Sequence, residues 1–430
     1  MKSALYEVLS DVTMPKMVRV RQSFDNHEIK DPEPVIREEL SRPALAGTIR
    51  PGMSVAITAG SRGITNHRRI IKAVVDFVKE RGGNPFVIPA MGSHGGATAE
   101  GQLEILEGFG ITPDYLGCPI KASMETVKIG VSPEGHEIYI DRYAHSADGI
   151  IVVNKIKPHT AFRGPYESGL MKMMTIGLGK RQGASTCHQS GFKNMGRLVP
   201  MFANMILKNC KILFGLAIVE NAYSKTYMLE GLTPQEIPEE EPRLLNLARS
   251  LMPKILFDDI AVLIIDQIGK NFSGDGQDPN VSSRFATPYA TGDFTIQKVC
   301  VLDISEKSHG IMIGAGCADT CTKRLVDKAN LEASYINAIT STVFDCVRLP
   351  MILKNDYYAI AACIRTCNEV DRSRIRMVRI PNTLHVGEIY ISESMLEDAR
   401  KNPDIEILGS PEPMPFDPSG NLPDVGAWSA

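Results

Sequence analysis

The chain has 430 residues, 43% hydrophobic and 23% charged, which suits two or three domains with large cores and excludes a disordered or fibrous protein. A formal net charge of -3 and a pI near 6.3 leave no basic excess for a nucleic-acid or anionic-membrane surface, so a small-molecule partner is expected. Nine cysteines at irregular spacings fit a reducing compartment, and no window approaches the ~18 apolar residues of a membrane span; a cytoplasmic protein without membrane contact is expected.

The first clear element is a strand over Met53 to Thr58, followed by the loop Ala59-Gly60-Ser61-Arg62-Gly63. Thr65 then reads as the cap of a helix with the apolar stripe Ile70, Ile71, Val74, Val75 and Val78, stopped by Gly82-Gly83. The pattern repeats at once. Pro85 to Ile88 is strand-like, residues 90–96 form a glycine-rich loop holding His94, and Thr98 caps a helix ending at Gly110. Two strand-loop-helix units in succession predict a parallel sheet. Gly149 to Val153, Lys211 to Val219 and Ile260 to Ile265 are apolar runs bounded by polar residues, as strands buried on both faces require. The fold class expected is α/β, with two α/β domains, mainly parallel sheets and the active site in the cleft between them.

The polar stretch Glu236 to Pro242 and the fresh strand after Asp258-Asp259 place a boundary near 255. The expected division is 1–254 for a cofactor-binding domain and 255–405 for a domain closing over substrate, with the tail 406–430 packing back on the first. The second domain should hold a helix over Thr322 to Ala338 and strands over Arg374 to Ile380 and Val386 to Ile391.

Chemistry concentrates between Asn154 and Gly191, where His159, Lys172 and His188 lie within one segment. Pro158 and His159 fall at the carboxyl end of a buried strand, the edge on which open α/β sheets place ligands. His94 sits in a glycine-rich strand-to-helix turn whose backbone N–H groups suit an anion, and Arg62 could fork onto a carboxylate or phosphate. A tight turn with a solvated histidine accounts for His94 equally well, and Arg68 and Arg69 read as a solvated basic turn. Gly177-Leu178-Gly179-Lys180 lacks both the phosphate-loop and the dinucleotide frames. Cysteine pairs and His-x-x-x-His arrangements of zinc type are missing from the sequence.

The order Arg62, His94, Pro158-His159, Lys172, His188, with gaps of 32, 65, 13 and 16 residues, resembles the nickel-pincer lactate racemase family and its 2-hydroxyacid racemase and epimerase relatives. The resemblance implies a cofactor, the nickel-pincer nucleotide, which is nickel(II) on a pyridinium-3,5-bisthiocarboxylate mononucleotide. It further implies covalent attachment at Lys172, a nickel ligand in His188, and a phosphate cradle from Ala59, Gly60, Ser61 and Arg62. His94 and His159 would act as acid and base on opposite faces of a 2-hydroxyacid, and enzymes that synthesise the cofactor become expected partners. A homo-oligomer is compatible with the family.

The sequence also departs from the family. Ala59-Gly60-Ser61-Arg62 stands where the family has aspartate-x-threonine-arginine, and Ser168-Gly169-Leu170-Met171-Lys172 where it has glycine-glycine-arginine-lysine. The segment from His159 to Lys172 is longer than the family's, and only Lys270 and Arg284 stand as candidate carboxylate partners in the second domain. A sugar acid is therefore as compatible as lactate. Two other classes remain open on the residues alone: a non-catalytic mononucleotide- or metal-binding protein of this fold, and a zinc-type hydrolase or lyase using the three histidines.

Overall fold

A computed structural model describes residues 4–61, 63–292 and 294–423. The chain is α/β and divides into two compact units, residues 26–252 and residues 4–25 joined with 253–423. Fifteen strands occur among the described residues. In chain order the first eight are β1 (Met17–Gln22), β2 (Ser54–Ala59), β3 (Asn84–Pro89), β4 (Thr126–Val131), β5 (Glu137–Asp141), β6 (Gly149–Lys155), β7 (Ile212–Glu220) and β8 (Thr226–Leu232). The rest are β9 (Ile260–Ile268), β10 (Ile296–Ile304), β11 (Thr320–Thr322), β12 (Met351–Leu353), β13 (Met377–Ile380), β14 (Glu388–Ser392) and β15 (Ile405–Ile407).

The 26–252 unit is built on a five-stranded sheet of order β3-β2-β6-β7-β8. The first four strands run parallel and β8 closes the edge antiparallel. The His67–Glu80 helix buries His67, Ile70, Ile71, Val74, Val75, Phe77 and Val78. That stripe packs with Val55, Ile57, Val87, Ile151 and Val153 of the sheet in one core. β4 and β5 form a separate antiparallel hairpin.

The other unit carries an eight-stranded sheet of order β12-β11-β10-β9-β13-β14-β1-β15. Five parallel strands occupy one side, while β14, β1 and β15 join antiparallel. Alternate residues of β9 fall into two different cores, Leu263 and Ile265 in one, Val262 and Ile264 in the other. Successive strand residues point to opposite faces, so this sheet is covered on both.

Several expectations need correction. Residues 4–25 were assigned to the N-terminal domain, yet β1 pairs with β14 and β15 and buries Met17, Val18 and Val20 in the second unit. The tail likewise belongs there: β15 pairs with β1, and Met414 and Leu422 are buried with the Asp356–Thr366 helix. Residues 424–430 lie outside the described ones. The polar stretch Glu236 to Pro242 forms the first half of a Glu236–Ser250 helix, and the division between the units falls after it, between Met252 and Pro253. The start of this helix is a capping box, with Thr233 N–H donating to Glu236 Oε2 at 2.8 Å and Glu236 N–H to Thr233 Oγ1 at 3.2 Å. Thr65 does not cap the His67–Glu80 helix; Asn66 occupies that place with φ 61, and Thr65 N–H binds Glu220 instead. The expected Thr322 to Ala338 helix is two, Lys323–Lys328 and Leu331–Ser341, because Asn330 starts a new cap by accepting from Ala333 N–H.

Inside the second unit, Arg379 on β13 grips Asp266 on β9 through two 2.8 Å hydrogen bonds, with both side chains buried. Asp266→Ala removes both carboxylate acceptors from a buried guanidinium, for which losses of about 3–5 kcal/mol are typical. Urea unfolding should report a loss of that size, whereas a loss below about 1 kcal/mol would show that the pair is not a determinant of the sheet.

Candidate functional site

Strand order singles out one sheet edge as the candidate site. The chain leaves β2, places β3 on one side of it and β6 on the other, and so reverses direction between β2 and β6. Open α/β sheets have their ligand crevice at such a reversal, outside the carboxyl ends of the strands. The loops found there are residues 60–63 after β2, 90–94 after β3 and 156–159 after β6. β3 and β6 flank β2 at about 10 Å from one another, two strand spacings.

After β3, Gly92 takes φ 59, a left-handed conformation that favours glycine, and a Cβ there would stand 3.1 Å from Ile176 Cγ2. His94 is exposed, and its Nδ1 hydrogen-bonds the Ser61 hydroxyl from the β2 loop. Arg62 lies outside the described residues. Its loop is held from below: Lys155 Nζ donates to Gly63 O at 3.2 Å and pairs with Glu220 at 2.6 Å, and Glu220 accepts from Thr65 N–H at 2.7 Å. A Cβ on Gly60 would stand 3.2 Å from Met173 Cε and 3.7 Å from Asn154 Oδ1. Glycine thus lets this loop meet the lysine segment closely.

After β6 the chain makes a closed loop whose base is a pair of backbone hydrogen bonds between Lys157 and Ser168, at 2.9 and 3.1 Å. The buried Glu167 carboxylate ties the inside together. It accepts from His159 N–H at 2.7 Å, Gly164 N–H at 3.3 Å and Arg249 at 3.0 Å. This closure accounts for the long gap between His159 and Lys172. His159 Nδ1 accepts from Ala161 N–H at 3.0 Å, which assigns the ring proton of the neutral form to Nε2.

Lys172 ends the short Leu170–Lys172 helix and precedes a π-turn over Met173–Gly177. Such turns concentrate at functional sites. Glu241 secures the start of this helix, accepting from Met171 N–H at 2.9 Å. A Cβ at Gly169 would come within 2.3 Å of Glu241 Oε1, so only glycine admits the carboxyl. Asn154 at the end of β6 adds a hydrogen bond to Gly169 O at 2.8 Å.

Three of the expected residues converge on one aromatic pair. Phe162 and Phe192 have ring centroids 6.4 Å apart. His159 packs 4.5 Å from Phe162 and 6.0 Å from Phe192, His188 meets Phe192 edge-on at 5.6 Å, and Lys172 Nζ stands 5.5 Å over Phe162. His94 reaches the same sheet edge through Ser61. Burial, reinforced by Lys172, lowers the His188 imidazole to about 4; burial first and then Lys172, Lys157 and His188 hold His159 well below its ordinary value. Both rings are therefore neutral near pH 7; the one lone-pair nitrogen of His159 accepts from Ala161 N–H, while neutral His188 keeps a lone pair suited to a metal.

The sequence reading overlooked Phe162, Phe192, Glu167 and Glu241. Aromatic residues within a histidine-rich segment were the available signal for the first two. Glu241 arrives from a helix about seventy residues downstream, and no local pattern announces it. Cys187 beside His188 is buried, its thiol pushed up to about 12 by desolvation, so it is an unreactive packing residue. In the second unit Lys270 Nζ bonds Asn337 Oδ1, and Arg284 is engaged by Asp319 at 2.9 Å and by Gln297 O at 2.5 Å. Among the described residues no group of three or more His, Cys, Asp or Glu side chains is placed to hold a metal ion. A single imidazole donor, His188, fits a metal whose other ligands come from a bound cofactor, and the glycine-lined approach of residues 60–61 to the lysine segment fits its attachment.

The carboxyl edge of the first α/β sheet thus gathers His159, His188 and Lys172 on one aromatic pair, with His94 tied to the β2 loop through Ser61. Residues 8–197 match the family of the lactate racemase N-terminal domain, and the chain is lactate racemase-like over that span. The span includes Lys172 and His188. In structure, the lactate racemase apoprotein from Thermoanaerobacterium thermosaccharolyticum aligns over 81% of this chain and 85% of its own, at 13% identity and a TM-score of 0.47. A crystal structure of a protein from Thermotoga maritima aligns over 82% of this chain and 97% of its own, at 15% identity and a TM-score of 0.48. None of the curated proteins matches the chain.

Burial raises the Glu241 carboxyl from 4.5 to about 7, against the opposing pull of the Met171 and Leu170 amides. The folded protein thus keeps a proton up to about pH 7 that the unfolded chain sheds near 4.5, and folding is penalised increasingly as pH rises through that window. Glu241→Gln keeps the acceptor for Met171 and cannot titrate. Relative to the parent it should gain roughly 3 kcal/mol between pH 4.5 and 7 and then level off. Urea unfolding at pH 5, 6, 7 and 8 checks this, and parallel stability curves for the two proteins would refute a buried protonated carboxyl.

Proposed function

We propose that this protein is a racemase or epimerase that inverts C2 of a 2-hydroxyacid, using a nickel-pincer nucleotide attached at Lys172. The observation that carries the reading is the convergence of Lys172, His188 and His159 on the Phe162–Phe192 pair, inside the segment that matches the lactate racemase N-terminal domain. Lys172 would hold the cofactor covalently, His188 would give nickel its imidazole donor, and Ala59, Gly60, Ser61 and Arg62 would cradle its phosphate. When bound, the cofactor supplies a site that accepts and returns the C2 hydride.

The chain's own residues manage the proton and the geometry. A 2-hydroxyacid carboxylate makes loss of C2–H as a proton unfavourable, so the hydroxyl proton must leave as the hydride does. His94 and His159 stand after strands on either side of the β2 loop, which suits a planar 2-oxoacid held between them. His94, whose Nδ1 is hydrogen-bonded to the Ser61 hydroxyl, would act in the tautomer protonated there, its Nε2 lone pair taking the hydroxyl proton. Ala161 N–H at His159 Nδ1 leaves this ring an Nε2–H, which would hydrogen-bond the same oxygen, and the proton taken by His94 returns to that oxygen when the opposite face is refilled. The aromatic pair excludes water and strengthens these contacts.

The substrate is a 2-hydroxyacid, with lactate and larger sugar acids both admitted. Protein produced alongside the cofactor-synthesis enzymes should carry a mass adduct and nickel, both lost in Lys172→Ala, and should exchange stereochemistry in a chiral panel of 2-hydroxyacids and aldonic acids. An unmodified Lys172 under those conditions, or nickel retained in Lys172→Ala, would overturn the assignment. Adduct and nickel present without exchange of any panel member would instead identify a binding protein.

A further inference from the structure

We propose that Lys180 and Gln102 are positioning residues that set His94 for proton transfer, an inference resting on the function proposed above. Lys180 begins the helix that ends near His188, and its side chain is completely buried. Its backbone has φ 52, a left-handed conformation that costs a β-carbon-bearing residue about 1 kcal/mol or more. A buried ammonium adds a desolvation penalty of several kcal/mol unless it is fully partnered. The partners are present: Asp141 Oδ2 at 3.2 Å, Gln102 Oε1 at 3.1 Å and the carbonyl of Pro89 at the end of β3. Burial lowers the lysine and Asp141 opposes that shift.

Gln102 is equally buried, on the Ala99–Gly108 helix. Its Nε2 donates to Gly92 O at 3.0 Å and to His94 O at 3.2 Å, the two carbonyls that bracket the His94 turn. An amide can be built in two orientations, and Lys180 decides between them. An ammonium has only donors, so it must face Oε1, which leaves the NH2 group facing the His94 turn. Lys180 thus acts through Gln102 on the backbone of His94, while Ser61 tethers the imidazole at its other end. Gly92 N–H adds a 3.3 Å bond to Gly177 O, so the π-turn after Lys172 braces the same loop.

Stability alone does not call for this arrangement. A buried ionic cluster can often be replaced by apolar side chains of similar volume without loss, so what the cluster supplies is orientation. None of its members lies in the crevice, and the distinction from a catalytic group can be tested.

Gln102→Glu keeps an acceptor for Lys180 but faces Gly92 O and His94 O with no donor. Gln102→Met, an apolar near-isostere, serves as the second variant should the first fail to fold. In cofactor-loaded protein the expected result is a fall in kcat of about 100-fold with KM within about threefold, the scale of a 1 Å misplacement. The Lys172 adduct and the nickel content should match the parent. In protein without cofactor, the 15N signals of the His94 imidazole, identified by their loss in His94→Gln, should change from one bonded form to averaged values. Unchanged kcat and unchanged His94 signals in a folded variant overturn the positioning role. Equal losses in adduct, nickel and kcat would show a general structural role and overturn it as well. A parent protein with no adduct would refute the functional reading, while the His94 signals would still decide whether Gln102 sets the imidazole.

Discussion

The site depends on one constraint, the position of β2 between two parallel neighbours that the chain reaches in opposite directions. β3 brings His94, β6 brings His159, and the β2 loop lies between them with its glycine facing Asn154 and Met173. Because all three strands are parallel, their carboxyl ends share an edge, and loops of four or five residues suffice to assemble the site. Long recognition loops are unnecessary. The one extended excursion, residues 158–167, is itself closed at its base by Lys157 and Ser168 and filled by Glu167.

Electrostatics follow from the packing. The Phe162–Phe192 pair removes water from three polar groups, and desolvation dominates the lowered values of His159 and His188. The same effect beneath the platform raises Glu241. Desolvation pushes acids up and bases down, so this region tends toward neutrality, with Lys172 supported by the face of Phe162. A neutral imidazole can ligate a soft-to-borderline metal and can also act as a base, whereas an imidazolium can do neither.

Much of this architecture was legible because it is local. The alternation of strand, glycine loop and capped helix over residues 53–110, and the position of His159 after an apolar run, need only nearest neighbours in sequence to be read. What failed was non-local or depended on a competing signal. β1 looks like any short amphipathic strand, and only its pairing with β14, more than 360 residues away, places it in the second unit. Glu236 to Pro242 shows only a polar composition when proline and glutamate are counted; the Thr233–Glu236 capping box is what starts a helix there. Lys180 is informative in hindsight: a lysine after Gly-Leu-Gly suggests a phosphate loop by letter, while its left-handed backbone turns it inward to Asp141.

The π-turn after Lys172 carries a consequence for how this protein tolerates change. Sixteen residues of uninterrupted α-helix would advance by about 100° each and leave Lys172 and His188 on different faces. The wider turn over Met173–Gly177 and the left-handed Lys180 reset that phase, so both side chains address the same pair of rings. Register between the two is therefore a matter of residue count more than of residue type. Side chains along this stretch can drift so long as its length is kept, but one residue gained or lost would rotate His188 off the platform without disturbing the sheet that supports it.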